Sequence, residues 1–297
     1  MREFDYELCD VFTATPLAGN QLAVFVDAGS LSGEEMQAIA REMNLSETTF
    51  VQRRPRDVEQ ARGIRVRIFT TQEELPFAGH PTLGTASTVR RVFAELAGAE
   101  KIVLDLNAGQ IPVTFPAQKE VEGSATYGKM RQLDPVFGST HDAAEIAPLL
   151  GLRETDIGNP APQSVSTGVG FCITVLRSAE ALARLRLDGA ASERYFRRSD
   201  TKFLYTVAPE SEGVWRARMQ FYNGEDPATG SAAGCAISYL VRHGLWPSGE
   251  RLHLRQGIEM KRPSDLYLSA KLHGEKVSEV RVAGSTVPVA KGRFFLA

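Results

Sequence analysis

Three side chains have the chemistry to move a proton: Glu47, His80 and Asp226. Glu47 lies in Leu45-Ser46-Glu47-Thr48-Thr49-Phe50, a stretch of apolar and hydroxyl residues with no basic neighbour in sequence. A carboxyl group drawn into a partly apolar cleft loses hydration, which raises its pKa and suits general acid–base work near neutral pH. His80 and Asp226 each precede a proline, and Pro81 and Pro227 stand 146 residues apart (227 − 81). Proline is tolerated at the first helical position because its missing N–H costs little there. The pattern therefore predicts helices beginning at Pro81 and Pro227, with His80 and Asp226 as their N-caps. Each helix start presents unpaired N–H groups and the positive end of a dipole. Brought face to face by pseudo-two-fold packing, two such starts would cradle a carboxylate or a developing enolate without a cationic side chain. Ser231, one turn beyond Asp226, could add its hydroxyl or N–H. Plainer roles stand beside these: aspartate is a common helix cap, and most glutamates are solvated.

Other chemistries find no pattern. His141, His243, His253 and His273 show no metal-ligand spacing with one another or with cysteine. His243 reads as a residue at a helix C-terminus, where a cation favours the dipole. Cys9, Cys172 and Cys235 are widely spaced and form neither a disulfide framework nor a CxxC pair. Cys235 reads as a small buried residue. Gly230-Ser231 has no nucleophile elbow around it, Gly168-Val169-Gly170 lacks the third glycine of a dinucleotide fold, and there is no P-loop. The expectation is an enzyme with no metal and no cofactor, restricted to what side chains and helix ends can do.

The elements that would position these groups are partly legible. Glu7–Phe12 and Leu22–Val26 read as strands around a turn at Pro16 and Gly19. Ser32 and Glu35 form a capping box, and Met36, Ile39, Ala40 and Met43 fall on one helical face. That helix should end near Asn44, which places Glu47 where a helix hands over to a strand. Ile64–Phe69 alternates basic and apolar residues, as a half-buried strand does. Further strands are expected at about 101–106 and 111–115, and helices over Thr140–Leu150 and Ser178–Leu187.

Around the two prolines the chain repeats a pattern, x-Pro-x-x-Gly-[Ser/Thr]-Ala, and strands at Arg65–Thr70 and Arg216–Tyr222 precede the two copies. The spacing is close to half of the 297 residues and predicts a duplicated strand–loop–helix unit. Both helices are rich in small residues: Gly84, Thr85, Ala86 and Ser87 in one, Gly230, Ser231, Ala232, Ala233 and Gly234 in the other. Glycine inside a helix costs about 1 kcal/mol against alanine, so close packing must offset it. A central helix wrapped by sheet in each half is the expectation, the second helix stopping at Gly244.

Composition fixes the broad class. A chain of this length favours two domains, set here at 1–127 and 128–297 with the last strand free to return to the first. With 34 Lys and Arg against 36 Asp and Glu, the formal charge of -2 leaves no electrostatic footprint for nucleic acid or an anionic membrane. No apolar run approaches the roughly 20 residues that span a bilayer. The acidic opening Met1–Glu7 is unlike a signal peptide, so a cytoplasmic protein is expected.

Asn44-Leu45-Ser46-Glu47-Thr48, Leu75-Pro76-Phe77-Ala78-Gly79-His80-Pro81 and Glu225-Asp226-Pro227-Ala228-Thr229-Gly230-Ser231-Ala232 together resemble the PhzF family of phenazine-biosynthesis proteins. Leu17-Ala18-Gly19-Asn20, Gln256-Gly257 and Arg262-Pro263-Ser264 are similar to that family too, so the resemblance runs from about residue 10 to 264. It implies an α+β, diaminopimelate-epimerase-like fold: two pseudo-symmetric domains, each a central helix in a curved, mostly antiparallel sheet, usually as a homodimer. It also implies a cofactor-free isomerase acting on trans-2,3-dihydro-3-hydroxyanthranilate. The family's catalytic glutamate matches Glu47. Its auxiliary acid–base and substrate-binding positions match Gly79, His80, Asp226, Gly230 and Ser231. Gln21 departs from the proline that often follows Gly-Asn in the family. The thiol pair of the related epimerases is missing from both helix starts, which disfavours a two-thiol racemase mechanism. Two rivals remain: an isomerase or epimerase of another amino or hydroxy acid, and a catalytically idle small-molecule-binding homologue.

Overall fold

The capping box read at Ser32 is present in a computed structural model of the chain, which describes residues 1–116, 124–221 and 224–296. The Ser32 side chain accepts from the Glu35 N–H, and the Glu35 carboxylate accepts from the Ser32 N–H. Helix α1 (Gly33–Met43) follows, burying Met36, Ile39 and Ala40. Asn44, at φ 51°, stops it in the left-handed conformation, and that stop delivers Glu47 to the edge of a strand.

The chain divides into two units, Met1–Arg131 with Ala283–Ala297, and Gln132–Val282. In the first, β1 (Arg2–Val11), β2 (Asn20–Phe25), β3 (Thr48–Gln52) and β4 (Ile64–Phe69) surround α1 and the short α2 (Arg56–Arg62) in sequence. β5 (Glu74–Leu75) then folds back on β4 before α3 (Gly79–Val92). β6 (Lys101–Leu106), β7 (Gly109–Thr114) and β8 (Thr126–Arg131) follow.

The second unit opens with β9 (Val136–Thr140), α4 (Ala143–Leu149), β10 (Gln163–Ser166) and β11 (Gly170–Val175). Two helices, α5 (Ala179–Arg184) and α6 (Gly189–Phe196), lead to β12 (Phe203–Ser211) and β13 (Val214–Phe221). β14 (Gly224–Asp226), α7 (Gly230–Arg242), β15 (Leu252–Gln256) and β16 (Ser264–His273) come next. β17 (Lys276–Leu296) starts in this unit, and its residues from Thr286 onward pair antiparallel with β1 inside the first.

The duplication is visible step by step. β1–β2 and β10–β11 pair antiparallel, β2–β3 and β11–β12 parallel, β3–β4 and β12–β13 antiparallel. β4 and β13 each take a short antiparallel strand on one side of the following helix in sequence and a parallel one on the other. Mostly antiparallel sheets result in both units.

The register of the repeat differs from the one the prolines suggest. Helices α3 and α7 open at Gly79 and Gly230, 151 residues apart (230 − 79). Two ion pairs repeat at the same interval: Arg67 holds Glu74 through Nε and Nη2, and Arg218 holds Glu225 in the same way. Pro76 therefore corresponds to Pro227, Ala78 to Thr229 and His80 to Ser231. The helices do not begin at Pro81 and Pro227, and neither His80 nor Asp226 is an N-cap. Ala78 and Thr229 hold those positions, His80 is the second residue of α3, and Asp226 ends β14.

Every residue of α3 from Gly79 to Val89 is buried, as is every residue of α7 from Gly230 to Val241. A helix buried on all faces must be wrapped by strands, and β1, β2, β3, β6, β7 and β8 touch α3 while β10, β11, β12 and β16 touch α7. Here lies the offset for the helical glycines. A Cβ on Gly84 would fall 2.6 Å from a Leu22 methyl and 2.7 Å from a Val11 methyl; one on Gly234 would fall 1.9 Å from Gln132 Oε1.

Several sequence-read bounds shift. β1 begins at Arg2, β7 takes in Gly109, Thr140 ends a strand so that α4 starts only after Asp142, and α5 stops at Arg184. Tyr222, the last residue of the second arginine-bearing strand as read from the sequence, and Asn223, which follows it, lie outside the described residues. Among the described residues no helix is long and apolar enough to cross a membrane.

Candidate active site

In the first unit, three of the sequence-read residues come together. Glu47 precedes β3, whose Thr48 pairs with Ala23 on one side and Phe69 on the other. His80 projects from the first turn of α3, beside Gly79, and its Nε2 lies 3.5 Å from Glu47 Oε2. The His80 side chain is 4% exposed and that of Glu47 16%. Burial pushes the His80 pKa down to about 3, with a backbone hydrogen bond at Gln21 acting weakly the other way. The contact thus joins a neutral imidazole to a carboxyl group and is not an ion pair.

Asn20 sets which nitrogen faces Glu47. Its Nδ2 lies 3.2 Å from His80 Nδ1. Donor and acceptor in that contact depend on the ring tautomer, but the contact orients the ring, with Nδ1 toward Asn20 and Nε2 toward Glu47. Asn20 is held by a tight loop: the Leu17 N–H donates to Asp10 Oδ2 at 2.7 Å, and Gly19 has φ +67°. A Cβ there would strike the Val11 carbonyl oxygen at 2.4 Å, so the position admits glycine alone. Asn20 and Asp10 were missed as site residues. The only signal was Leu17-Ala18-Gly19-Asn20 itself, whose glycine marks a turn but not what the turn presents.

The helix that carries His80 is left open at its start. Ala78 offers no side-chain cap, and Pro81 has no N–H. Gly79 and His80 therefore present N–H groups at the positive end of a fourteen-residue helix.

Asp226, Gly230 and Ser231 are in the second unit. Asp226 Oδ2 accepts from the Thr229 hydroxyl at 2.6 Å. With that hydroxyl directed to Asp226, Thr229 gives α7 no side-chain cap, and Gly230 and Ser231 occupy the first two helical positions, as Gly79 and His80 do in α3. Behind them sits Gln256, 1% exposed, whose Nε2 donates to the Asp226 carbonyl at 2.8 Å and to Thr229 Oγ1 at 3.0 Å. Its Oε1 accepts from the Thr229 N–H at 3.2 Å and from the Tyr205 hydroxyl at 2.8 Å. Thr229, Gln256 and Tyr205 were also missed. Nothing in a lone glutamine or tyrosine signals a network that forms only on folding.

The remaining candidates are structural. Burial raises the thiol pKa of Cys9 and Cys172 to about 12 and that of Cys235 to about 11, so none is a thiolate at neutral pH. His243 caps α7, but burial lowers its pKa and Nε2 contacts Gln163 Oε1 at 3.2 Å. It is a neutral packed ring, not the dipole-favouring cation the sequence suggests.

Comparison with known proteins finds relatives along nearly the whole chain. A trans-2,3-dihydro-3-hydroxyanthranilate isomerase of Pseudomonas aeruginosa is 38% identical over 98% of this chain and 99% of its own length. A phenazine biosynthesis protein of the PhzF family from Bacillus anthracis superposes with a TM-score of 0.87 at 24% identity, covering 100% of both chains. The fold extends to a probable proline racemase of Agrobacterium radiobacter, with a TM-score of 0.69 at 8% identity over 99% of this chain and 93% of that one. The α+β architecture is thus that of the diaminopimelate-epimerase-like isomerases and racemases. The sequence profile of phenazine biosynthesis-like proteins matches residues 9–292, and the chain belongs to that PhzC-PhzF family of isomerases.

Proposed function

We propose that the chain is a cofactor-independent isomerase that moves a proton on a small carboxylate-bearing molecule by general acid–base catalysis, with Glu47 as the proton carrier. The observation that supports this most is the 3.5 Å approach of Glu47 to the neutral, buried ring of His80. A ring oriented by Asn20 stands beside the carboxyl group, and general catalysis rewards such placement. The step balances without a co-reactant. A proton leaves one carbon of the substrate and a proton is delivered to another, so no electron or hydride changes hands. The uncapped N–H groups of Gly79, His80, Gly230 and Ser231 suit a substrate carboxylate or enolate oxygen. Asp226 serves as the auxiliary acid–base group.

The substrate we propose is trans-2,3-dihydro-3-hydroxyanthranilate, the substrate named for the relative at 38% identity. Incubation with that compound in heavy water should give a rearranged product carrying deuterium. Binding without rearrangement or exchange would mean an idle homologue. A second possibility, an isomerase or epimerase of another amino or hydroxy acid, draws support from the fold shared with a probable proline racemase; deuterium at the α-carbon of such an acid, with none in the anthranilate, would favour it. The working protein is taken to be a cytoplasmic homodimer, and a monomeric mass by light scattering would contradict the dimer.

A further inference from the structure

The four hydrogen bonds of the Gln256 amide run in one direction only. Resting on the proposed role of Asp226, we infer that Gln256 is a positioning residue: by donating to the Thr229 hydroxyl it turns that hydroxyl onto Asp226 and fixes the carboxylate for its work on substrate.

The amide cannot be reversed. The Thr229 N–H is solely a donor and the Asp226 carbonyl solely an acceptor, so Oε1 must face the first and Nε2 the second. The Tyr205 hydroxyl then donates to Oε1. Burial pushes the Tyr205 pKa well above its ordinary value, so this donor stays protonated. The second hydrogen on Nε2 goes to Thr229 Oγ1, and the hydroxyl's own hydrogen goes to Asp226 Oδ2 at 2.6 Å. Tyr205, Gln256, Thr229 and Asp226 thus form a chain in which the carboxylate is the final acceptor. Tyr205 is 0% exposed and Gln256 1%, so both act through Thr229.

The duplicated fold supplies a control. The first unit forms α3 with Ala78 where α7 has Thr229, and α3 is buried along its first eleven residues all the same. A wrapped helix of this kind therefore needs no hydroxyl at its N-cap. The chain of donors is particular to the unit that carries Asp226.

The test uses the intact protein and five variants: Asp226→Asn, Thr229→Val, Thr229→Ser, Gln256→Glu and Gln256→Leu. In the heavy-water isomerase assay, Thr229→Val and Gln256→Glu should lose about 10- to 100-fold in kcat, as expected for a hydrogen bond to a charged group. KM and Tm should change little in Thr229→Val, and Thr229→Ser should recover most of its loss. Gln256→Glu keeps both acceptor contacts but lacks a donor when ionised. Its activity relative to the unaltered protein should therefore rise as pH falls and the acid regains an O–H, a recovery that Gln256→Leu cannot show. A substrate-free reading accompanies the kinetics: the Asp226 carboxyl ¹³C resonance, assigned by its loss in Asp226→Asn, should shift in Thr229→Val and Gln256→Glu. An unmoved resonance, or kcat unchanged in Thr229→Val while Asp226→Asn is crippled, overturns the positioning role alone. A shifted resonance with Asp226→Asn fully active overturns instead the place of Asp226 in the reaction, and the positioning role with it.

Discussion

His80 Nε2 faces Glu47 Oε2 across 3.5 Å, and the two side chains reach that distance from opposite kinds of element. Glu47 stands on a connection whose course is set by the left-handed Asn44 and the start of β3. His80 stands on the first turn of a buried helix, with its ring pinned by Asn20. A rigid ring beside a more accessible carboxyl group is suited to hold the acid–base residue, not to replace it.

Protonation of His80 is linked to stability. Its pKa falls from 6.5 unfolded to about 3 folded because the ring is buried. Above about pH 6.5 the ring is neutral in both states and the contribution is fully present. As pH falls from there toward 3, the unfolded chain takes up a proton that the folded ring refuses, so stability is lost. The loss from this group alone is at most about 4 to 5 kcal/mol. His80→Gln should flatten the acid limb of a Tm-against-pH curve; an acid limb identical to that of the unaltered protein would contradict the buried neutral ring. In turnover, His80→Ala should fall between the unaltered protein and Glu47→Gln.

Asp226→Ala should damage both binding and rate, because it removes a site carboxylate and leaves the Thr229 hydroxyl without that acceptor. The expected outcome is a raised KM together with a kcat lowered at least about tenfold, since hydrogen bonds to charged groups contribute about 1.5–3 kcal/mol. A change in KM alone would restrict Asp226 to binding.

The fold was most legible where chemistry is local. Ser32 and Glu35 are three residues apart and bond to each other, so the start of α1 could be read directly. The run of small residues likewise forecast two wrapped helices, because a glycine in a helix needs a close neighbour and Gly84 and Gly234 have one. The repeat was visible but its register was not. Small residues recur along both helices, so a short Pro-Gly string can slide; the Arg67–Glu74 and Arg218–Glu225 pairs, seven residues apart in each copy, would have fixed the interval at 151. Glu47, His80 and Asp226 were legible as chemistry, whereas Asn20, Thr229 and Gln256 were not. Their roles depend on partners 60, 3 and 30 residues away, and only the folded backbone selects those partners.

Gly84→Ala and Gly234→Ala test the wrapped helices. Helix propensity alone would make each substitution stabilising by about 1 kcal/mol. The added methyl would instead meet Leu22 and Val11 at 2.6–2.7 Å, or Gln132 Oε1 at 1.9 Å. Overpacking of that kind costs about 1–3 kcal/mol, so urea titration should show both variants less stable, and greater stability in either would contradict the packing.

The direct test of proton transfer by Glu47 is the turnover of Glu47→Gln. The amide preserves shape and most hydrogen bonding while removing the group that carries the proton. With trans-2,3-dihydro-3-hydroxyanthranilate in heavy water, kcat should fall by about 10² to 10⁴-fold, the usual contribution of a general acid–base residue, while ligand binding is retained. Rearranged, deuterated product formed by Glu47→Gln at close to the unaltered rate would show that Glu47 is structural and that the proton travels through His80 or Asp226.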